Sequence, residues 1–155
     1  MIDLPVINMS PYSLPSYATK SSAGLDLRAN INKPLHINPL QRILIPTGLK
    51  ISLPENFEGQ IRPRSGLAIN HGVTVLNSPG TIDSDYRGEL GVILINLSNE
   101  QYKVMPGQRV AQLVVSNFSK INWKLVEDLG NSERGKSGFG SSGSIWAACR
   151  NIFNV

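Results

Sequence analysis

The chain has 155 residues, of which 41% are hydrophobic and 17% are charged. This length fits one domain and nearly excludes a two-domain enzyme, and the apolar fraction argues against a disordered chain. The formal net charge of +4 suits an anionic ligand. The basic residues are scattered from Lys20 to Arg150 without forming a basic arm. A small phosphate ligand is therefore favoured over a polyanion, and no direct nucleic-acid partner is expected.

The cysteine content and the apolar runs predict the cellular compartment. The single cysteine, Cys149, can form neither an intrachain disulfide nor a thiolate metal site. The N-terminus lacks the basic start and apolar stretch of a signal peptide, and no apolar run approaches the length of a membrane span. We therefore expect a cytoplasmic protein without a membrane partner.

Short apolar segments alternate with turn residues along the chain. Three segments alternate apolar and polar residues, as half-buried strands do: 25–29, 49–53 and 102–105. Three others are nearly continuous apolar runs, typical of strands covered on both faces: 43–45, 92–95 and 110–115. Gly and Pro interrupt every longer periodicity, so one short helix is predicted, at 65–70. These elements predict an all-β fold of two layers, a jelly-roll-like sandwich or barrel.

The composition changes after Leu129. Residues 130–144 contain Gly, Ser and charged residues, with Phe139 as the only large apolar side chain. Such a segment is typical of a linker or disordered tail, but one aromatic among glycines also suits a loop that closes over a ligand. We therefore divide the chain into a β domain, 1–129, and a flexible C-terminal arm with a short apolar extension, 130–155.

Residues 130–137 match the P-loop pattern of Gly, four residues and Gly-Lys-Ser. That loop works between a strand and a helix whose N-terminal amides hold the phosphates. The glycines after Ser137 disfavour a helix by about 1 kcal/mol each relative to Ala, and the remaining chain is too short for a parallel α/β domain. We therefore interpret the match as coincidental, although a Gly-rich loop with Arg134 and Lys136 still suits a phosphate.

Two other segments concentrate chemistry. Glycines near both ends of 80–89 predict a hairpin in which a carboxylate, a ring and an Arg could meet a ligand, or an ordinary turn with solvated charges. In 62–68, two arginines flank a proline and Ser65 is placed to cap the predicted helix, so the segment suits either an anion site or a simple helix start. His36 and His71 have no nucleophile-elbow serine nearby and are interpreted as structural or surface residues.

Five short motifs, read together, resemble those of the trimeric dUTPases, the dUTP nucleotidohydrolases. Each motif alone is unspecific, but five in the family's order and approximate spacing are highly specific. The resemblance extends from residue 14 to residue 143. The motifs are AGLDL at 23–27, RPRSGLA at 62–68, GTIDSDYRGE at 80–89, PGQRVAQL at 106–113 and RGKSGFGSSG at 134–143.

This resemblance implies a jelly-roll-like homotrimer with shared active sites that hydrolyses dUTP to dUMP and pyrophosphate with Mg²⁺. The reaction would keep uracil out of DNA and supply dUMP for thymidylate synthesis. Asp83 matches the catalytic aspartate that activates water for attack on the α-phosphorus. Asp26 matches the residue that holds the metal ion through water.

The resemblance also assigns the substrate contacts. Phosphate contacts fall to Arg64, Ser65, Gly66 and Gln112, and the uracil edge falls to Asn77, Gly80 and Ile82. Tyr86 would pack against the deoxyribose. In the arm, Phe139 would stack on uracil while the phosphates are closed over by Arg134, Ser141 and Ser142.

Two alternatives remain open at this point: a dCTP deaminase-like enzyme of the same fold, and a non-catalytic nucleotide-binding regulatory protein. The Asp83 motif and the full Gly-rich arm fit the triphosphatase better than the deaminase. The chain departs from the family pattern at Ser137, where the family usually has Gly, and in its extension, 144–155, to which the resemblance assigns no role.

Overall fold

The computed structural model describes residues 2–138. Its contacts divide the chain into two units, Met1–Lys120 and Ile121–Val155. Every helix and strand within the described residues lies in the first unit. None of the helices in residues 2–138 has the length and apolar character that a membrane crossing requires.

The first unit contains eleven strands and one helix within the described residues. In chain order they are β1 (Val6–Asn8), β2 (Leu25–Arg28), β3 (Leu35–Ile37), β4 (Arg42–Pro46), β5 (Leu49–Ile51), β6 (Phe57–Arg62), α1 (Ser65–His71), β7 (Val73–Val75), β8 (Gly80–Ile82), β9 (Gly91–Asn96), β10 (Tyr102–Val104) and β11 (Arg109–Asn117). All six strands expected from the sequence are present. Four of the other five span only three residues each.

Within residues 2–138 all strand pairs are antiparallel, and they form four open sheets. The largest has the order β2-β11-β6-β8, and the next has the order β4-β9-β7. The other two sheets are the pairs β1-β5 and β10-β3. The all-β prediction is confirmed, and the sheets within the described residues do not close into a barrel.

The core joins side chains from both larger sheets. Leu27 of β2 and Ile61 of β6 lie in the same buried cluster as Val92 and Leu94 of β9. Leu67 brings helix α1 into this cluster. Each fully buried aliphatic side chain contributes about 1.5–3 kcal/mol, so this cluster fixes the sheets that carry the polar residues discussed below.

The prediction that 43–45 is covered on both faces is wrong for the single chain. Leu44 is 63% exposed, whereas Ile45 is fully buried. Ile93 lies directly opposite Leu44 in the β4–β9 pair and is only partly buried. Because side chains alternate between the faces of a sheet, β4 and β9 leave a second, partly open apolar face beside their core face.

The helix begins one residue earlier than its predicted cap requires. Ser65 was expected to cap it, but Arg64 occupies the N-cap position without a side-chain cap, and Ser65 is the first helical residue. Pro63 ends β6 just before this point, because proline has no N–H to donate to the sheet. The predicted helix itself is confirmed and extends to His71.

The P-loop pattern lies in the second unit and has no helix behind it in the part of that unit which the structure describes. Residues 121–138 contain neither helix nor strand. The Gly135 and Ser137 amides donate to the Ser132 and Arg134 carbonyls, which makes two consecutive turns. Strand β11 ends at Asn117, so within the described residues no strand leads directly into the pattern, as a P-loop requires.

Candidate active site

The first polar cluster surrounds Asp26 in the middle of β2. The Arg64 Nε donates to Asp26 Oδ1 at 2.9 Å, and the Arg109 Nη1 donates to Asp26 Oδ2 at 3.1 Å. The Asp26 side chain is 32% exposed, so solvent and ligands can reach it. Its carboxylate is thus held by one arginine on each oxygen.

Sheet register adds Gln112 to this cluster. Gln112 of β11 lies directly opposite Asp26 of β2, so the two side chains share a face. Its amide Nε2 donates to the Pro63 carbonyl at 2.9 Å, one residue before Arg64. A side chain at position 24 would collide with the Gln112 amide, which explains the glycine of the first motif. We call Asp26, Arg64, Arg109 and Gln112 the arginine–carboxylate cluster.

The first turn of α1 continues directly from this cluster. The Leu67 and Ala68 amides donate to the Arg64 carbonyl. The amides of Ser65 and Gly66 precede them, at positions where a helix offers no internal acceptor. Apart from its chain neighbours and the backbone of α1, no atom of the described residues lies within 4 Å of the position that a Gly66 Cβ would take. The structure therefore brings the expected phosphate contacts Arg64, Ser65, Gly66 and Gln112 together with Asp26.

The second polar cluster lines a cavity of about 310 Å³ at the end of β8. The lining residues are Leu44, Thr81, Ile82, Asp83, Tyr86, Glu89, Gly91 and Ile93. Asp83 directly follows β8 and starts a turn in which the Tyr86 amide donates to the Asp83 carbonyl at 3.1 Å. Since this part of the cavity wall is a tight turn, the Asp83 side chain projects from a short, well-defined stretch of backbone. We call Asp83, Tyr86 and Glu89 the turn cluster.

The predicted hairpin across 80–89 is wrong. β8 pairs with β6, whereas β9 pairs with β4 and β7 in a different sheet. The turn therefore carries the chain from one sheet to another, because the apolar residues of β8 and β9 are needed on different sheets around the core.

Hydrogen bonds within and beyond the turn fix its shape. The Tyr86 hydroxyl donates to the Glu89 carbonyl at 3.0 Å, and the Arg87 Nη1 donates to the Ser84 and Tyr86 carbonyls. The Glu89 carboxylate accepts from the Gly48 amide at 2.7 Å, which anchors the segment to the loop between β4 and β5. The Arg that the hairpin hypothesis offered to a ligand is thus bonded to its own turn.

Asn77 and Gly80 lie at the other end of β8. A Cβ on Gly80 would stand 3.1 Å from the Asn77 side-chain nitrogen, so glycine permits this close approach. Gly80 is buried and pairs with Ile61 of β6. Of the expected uracil contacts, Gly80 and Ile82 lie on the short strand β8 that leads to Asp83, and the Asn77 side chain lies next to Gly80.

The two clusters are far apart in one chain. Gln112 of β11 pairs with Asp26 of β2 on one side and with Arg62 of β6 on the other. Ile82 of β8 pairs with Gly59, which lies three residues before Arg62 in β6, and β8 is three strands away from β2. Strands are about 4.8 Å apart and residues about 3.4 Å apart along them, so Asp26 and Ile82 are separated by roughly 17 Å. One chain does not bring the two clusters into a single compact site.

The remaining expected contacts belong to the second unit. The Arg134 Nε donates to the Ser137 carbonyl at 3.0 Å, within its own segment. Phe139, Ser141 and Ser142 lie outside the described residues.

The donor set is compatible with magnesium held by one carboxylate. Within residues 2–138, no three His, Cys, Asp or Glu side chains are grouped to hold a metal ion. Mg²⁺ commonly binds through one or two carboxylates together with water and substrate phosphates. Asp26 fits that mode of binding, because its side chain is partly exposed and lies beside the expected phosphate-binding donors.

Sequence reasoning missed Arg109 and Glu89. Arg109 is 83 residues away from Asp26 in sequence, and Glu89 is 41 residues away from Gly48. Both residues lie inside recognised motifs, which is the one signal that could have singled them out, but their partners depend on strand register.

The comparisons with known proteins agree with one another. The model of the dUTPase family matches residues 10–143. A deoxyuridine 5'-triphosphate nucleotidohydrolase of Fusobacterium nucleatum is 53% identical over 142 residues, which cover 92% of this chain and 97% of the relative. The dUTPase of Staphylococcus bacteriophage 80alpha, solved with dUPNHPP, is 27% identical with a TM-score of 0.83 and covers 92% of this chain and 99% of its own.

One further solved structure is similar in fold alone. It is a variant of the dUTPase from phage phi11 of S. aureus, a structure that shows the coordination of a structural Mg(II) ion. It is 22% identical with a TM-score of 0.75, and the match covers 84% of this chain and all of the phage chain.

The fold and these comparisons define a hydrolase of nucleotide metabolism. The chain belongs to the dUTPase family, as the match over most of its length and the identity to the bacterial relative show. The expected jelly-roll-like β fold with one short helix is confirmed.

Proposed function

We propose that the protein hydrolyses dUTP to dUMP and pyrophosphate, with Asp83 as the general base. One observation carries the assignment to this residue: Asp83 projects from a hydrogen-bonded turn into the wall of a 310 Å³ cavity. A positioned carboxylate within hydrogen-bond reach of water is what general base catalysis requires. Membership of the dUTPase family supports the choice of substrate.

In the reaction, Asp83 accepts a proton from the water that attacks the α-phosphorus. The new bond joins the water oxygen to the α-phosphorus, and the bond from the α-phosphorus to the bridging oxygen breaks. Pyrophosphate leaves with the bonding electron pair. The hydrogen bonds that Tyr86 and Arg87 make within the turn hold the backbone of Asp83 in place, and with it the orientation of the carboxylate. This orientation supports catalysis, because a small displacement of a catalytic group lowers the rate strongly.

Uracil is read by the free edge of β8. Within the described residues β8 pairs only with β6, so the backbone groups on its other edge have no strand partner. Gly80, Ile82 and the Asn77 amide lie along this edge and supply donors and acceptors to the base. A tight backbone pocket excludes a 5-methyl group by steric conflict, since burial of a methyl group alone would discriminate by only about 1–3 kcal/mol. Tyr86 packs against the deoxyribose and leaves no room for a 2′-hydroxyl.

The phosphate chain is bound by Arg64, Gln112 and the first helical turn with Ser65 and Gly66. Guanidinium and backbone donors that are fixed before the reaction stabilise the charge developing on the leaving group. Magnesium, when bound, supplies further neutralisation of the triphosphate oxygens. Asp26 would hold that ion through water, because its two oxygens are already engaged by Arg64 and Arg109.

The active enzyme is a homotrimer whose sites combine residues from different chains. The separation of roughly 17 Å between the two clusters supports this, because a triphosphate ester cannot span both within one chain while its α-phosphorus lies at Asp83. The fifth motif of the arm, 134–143, closes over the bound nucleotide, with Phe139 on the uracil and Arg134, Ser141 and Ser142 on the phosphates. The reaction takes place in the cytoplasm.

The test is pyrophosphate release from dUTP, with dCTP, dTTP, UTP and ATP each assayed as an alternative substrate. We expect rapid release from dUTP alone. Ammonia release from dCTP would support the deaminase alternative, and tight binding of dUTP without turnover would support the regulatory one. Neither alternative is favoured by the family match.

A further inference from the structure

An irregularity in the β2–β11 ladder directs Arg109 to the site. Gln112 pairs with Asp26 and Ala111 with Leu27, so a regular ladder would place Val110 opposite Arg28. Instead Arg109 pairs with Arg28, and the register shifts by one residue between Arg109 and Ala111. This is a β-bulge, a feature that re-aims side chains and is common next to active sites.

The consequence of the bulge is visible in the burial of β11. Val110 and Ala111 are consecutive residues and both are buried. Strict alternation would turn Arg109 toward the core beneath Ala111. The bulge lets both apolar residues face the core and turns the Arg109 side chain to the face that carries Asp26.

Arg109 contacts both of the other charged members of the arginine–carboxylate cluster. Its Nη1 donates to Asp26 Oδ2 at 3.1 Å, and its carbonyl accepts from Arg64 Nη1 at 3.3 Å. Arg64 closes the ring through its 2.9 Å bond to Asp26 Oδ1. With both oxygens bonded to different arginines, the carboxylate plane of Asp26 is fixed.

We propose that Arg109 is a positioning residue, which fixes the Asp26 carboxylate and the Arg64 guanidinium for the metal–triphosphate complex. The inference rests on the proposed function. Arg109 is 52% exposed and Asp26 is 32% exposed, and ion pairs of such exposure contribute little to stability. The bulge and the ion pair therefore serve the geometry of the site more than the stability of the fold.

The first experiment compares Arg109→Ala and Arg109→Lys with Arg28→Ala as the matched control. Arg28 pairs with Arg109 across the same ladder but donates to the Gly107 carbonyl rather than to Asp26. We expect Arg109→Ala to lower kcat for dUTP about 10-fold to 100-fold, the range for residues that orient a metal-binding ligand. Lysine should restore part of the loss, and Arg28→Ala should change kcat less than threefold. Equal losses in Arg28→Ala and Arg109→Ala would overturn the proposal.

The second experiment asks whether Arg109 acts through Asp26. In a double-mutant cycle, Arg109→Ala should add less than threefold to the loss already caused by Asp26→Asn, since coupled residues are not additive. If the two losses multiply, Arg109 acts independently of Asp26 and the proposal is wrong. Melting temperatures of all variants should lie within about 3 °C of the wild type, and Arg109→Lys, which keeps the charge and the apolar stem, serves if the alanine variant folds poorly.

The third measurement does not depend on turnover. Calorimetry gives the affinity for the slowly hydrolysed analogue dUPNHPP with and without Mg²⁺. Arg109→Ala should reduce the gain in affinity that Mg²⁺ provides and leave the metal-free affinity within threefold of the wild type. An unchanged gain would overturn the proposal. Failure of the wild type to hydrolyse dUTP would instead refute the proposed function, so the two failures are distinguishable.

Discussion

The arginine–carboxylate cluster and the turn cluster are built in different ways. The first joins residues from β2, β6–α1 and β11, which meet only because strand register aligns them. The second is centred on one short segment, whose shape is fixed largely by hydrogen bonds between residues one to three positions apart. The comparison indicates that phosphate binding depends on the sheet as a whole, whereas the general base depends on a local turn.

The largest expected effect tests the turn cluster. Asp83→Asn should lower kcat by about 10²-fold or more, because an amide keeps the shape of the side chain but cannot accept a proton from water. Binding of dUTP should remain close to that of the wild type. Steady-state kinetics and calorimetry measure the two effects.

Asp85→Asn is the control for this prediction. Asp85 lies in the same turn but does not line the cavity. A much smaller loss of kcat is expected. Near-normal turnover in Asp83→Asn would remove Asp83 from the mechanism, whatever the control shows.

The second prediction tests whether the two clusters work in different chains. Asp83→Asn and Arg64→Ala should each be inactive alone, but unfolding them together and refolding them at equal amounts should restore activity. If each site takes Asp83 from one chain and Arg64 from another, about a quarter of the sites contain both residues intact, each supplied by a chain that is altered only at the other position. Refolded mixtures should therefore approach a quarter of the wild-type rate.

Refolding each variant separately before mixing is the control, since intact trimers should exchange chains slowly. Activity no higher than that of the single variants in the co-refolded sample would mean that both residues act within one chain. The separation of roughly 17 Å estimated from the sheet spacing argues against that outcome.

The sequence predicted features that depend on local residues and missed those that depend on strand register. The apolar patterns located β2, β4, β5, β9, β10 and β11, because each carries enough apolar residues to show a pattern. The motifs named Asp26, Arg64 and Asp83. The ion pair from Arg109 was not predictable, since a bulge of one residue decides which face its side chain occupies.

Two errors have related causes. Glycines near both ends of 80–89 resemble a hairpin, but pairing is decided by which sheet buries the apolar residues of β8 and β9. Continuous apolar residues in 43–45 suggested two covered faces, yet Leu44 is largely exposed in the single chain. In both cases the missing information is tertiary: local residues do not specify what covers a face or pairs with an edge.

The third prediction tests the close packing next to the turn cluster. Gly80→Ala should raise KM for dUTP about 10-fold, because the added Cβ would stand 3.1 Å from the Asn77 amide nitrogen and displace it. The melting temperature should fall only slightly, since the Asn77 side chain can move. Unchanged KM would show that the Asn77 amide does not contact the base.

The smallest expected effect contrasts the first helical turn with that packing. Apart from its chain neighbours and the backbone of α1, no atom of the described residues lies within 4 Å of the position that a Gly66 Cβ would take, and the residue is helical. Gly66→Ala should therefore raise the free energy of unfolding by up to about 1 kcal/mol, because alanine loses less backbone entropy in a helix. Activity should fall nevertheless if a substrate phosphate approaches the Gly66 amide, since the methyl group would occupy the space that the phosphate needs. Chemical denaturation and the KM for dUTP measure the two effects, and a more stable variant with unchanged KM would remove Gly66 from the phosphate site while leaving Arg64 and Gln112 in it.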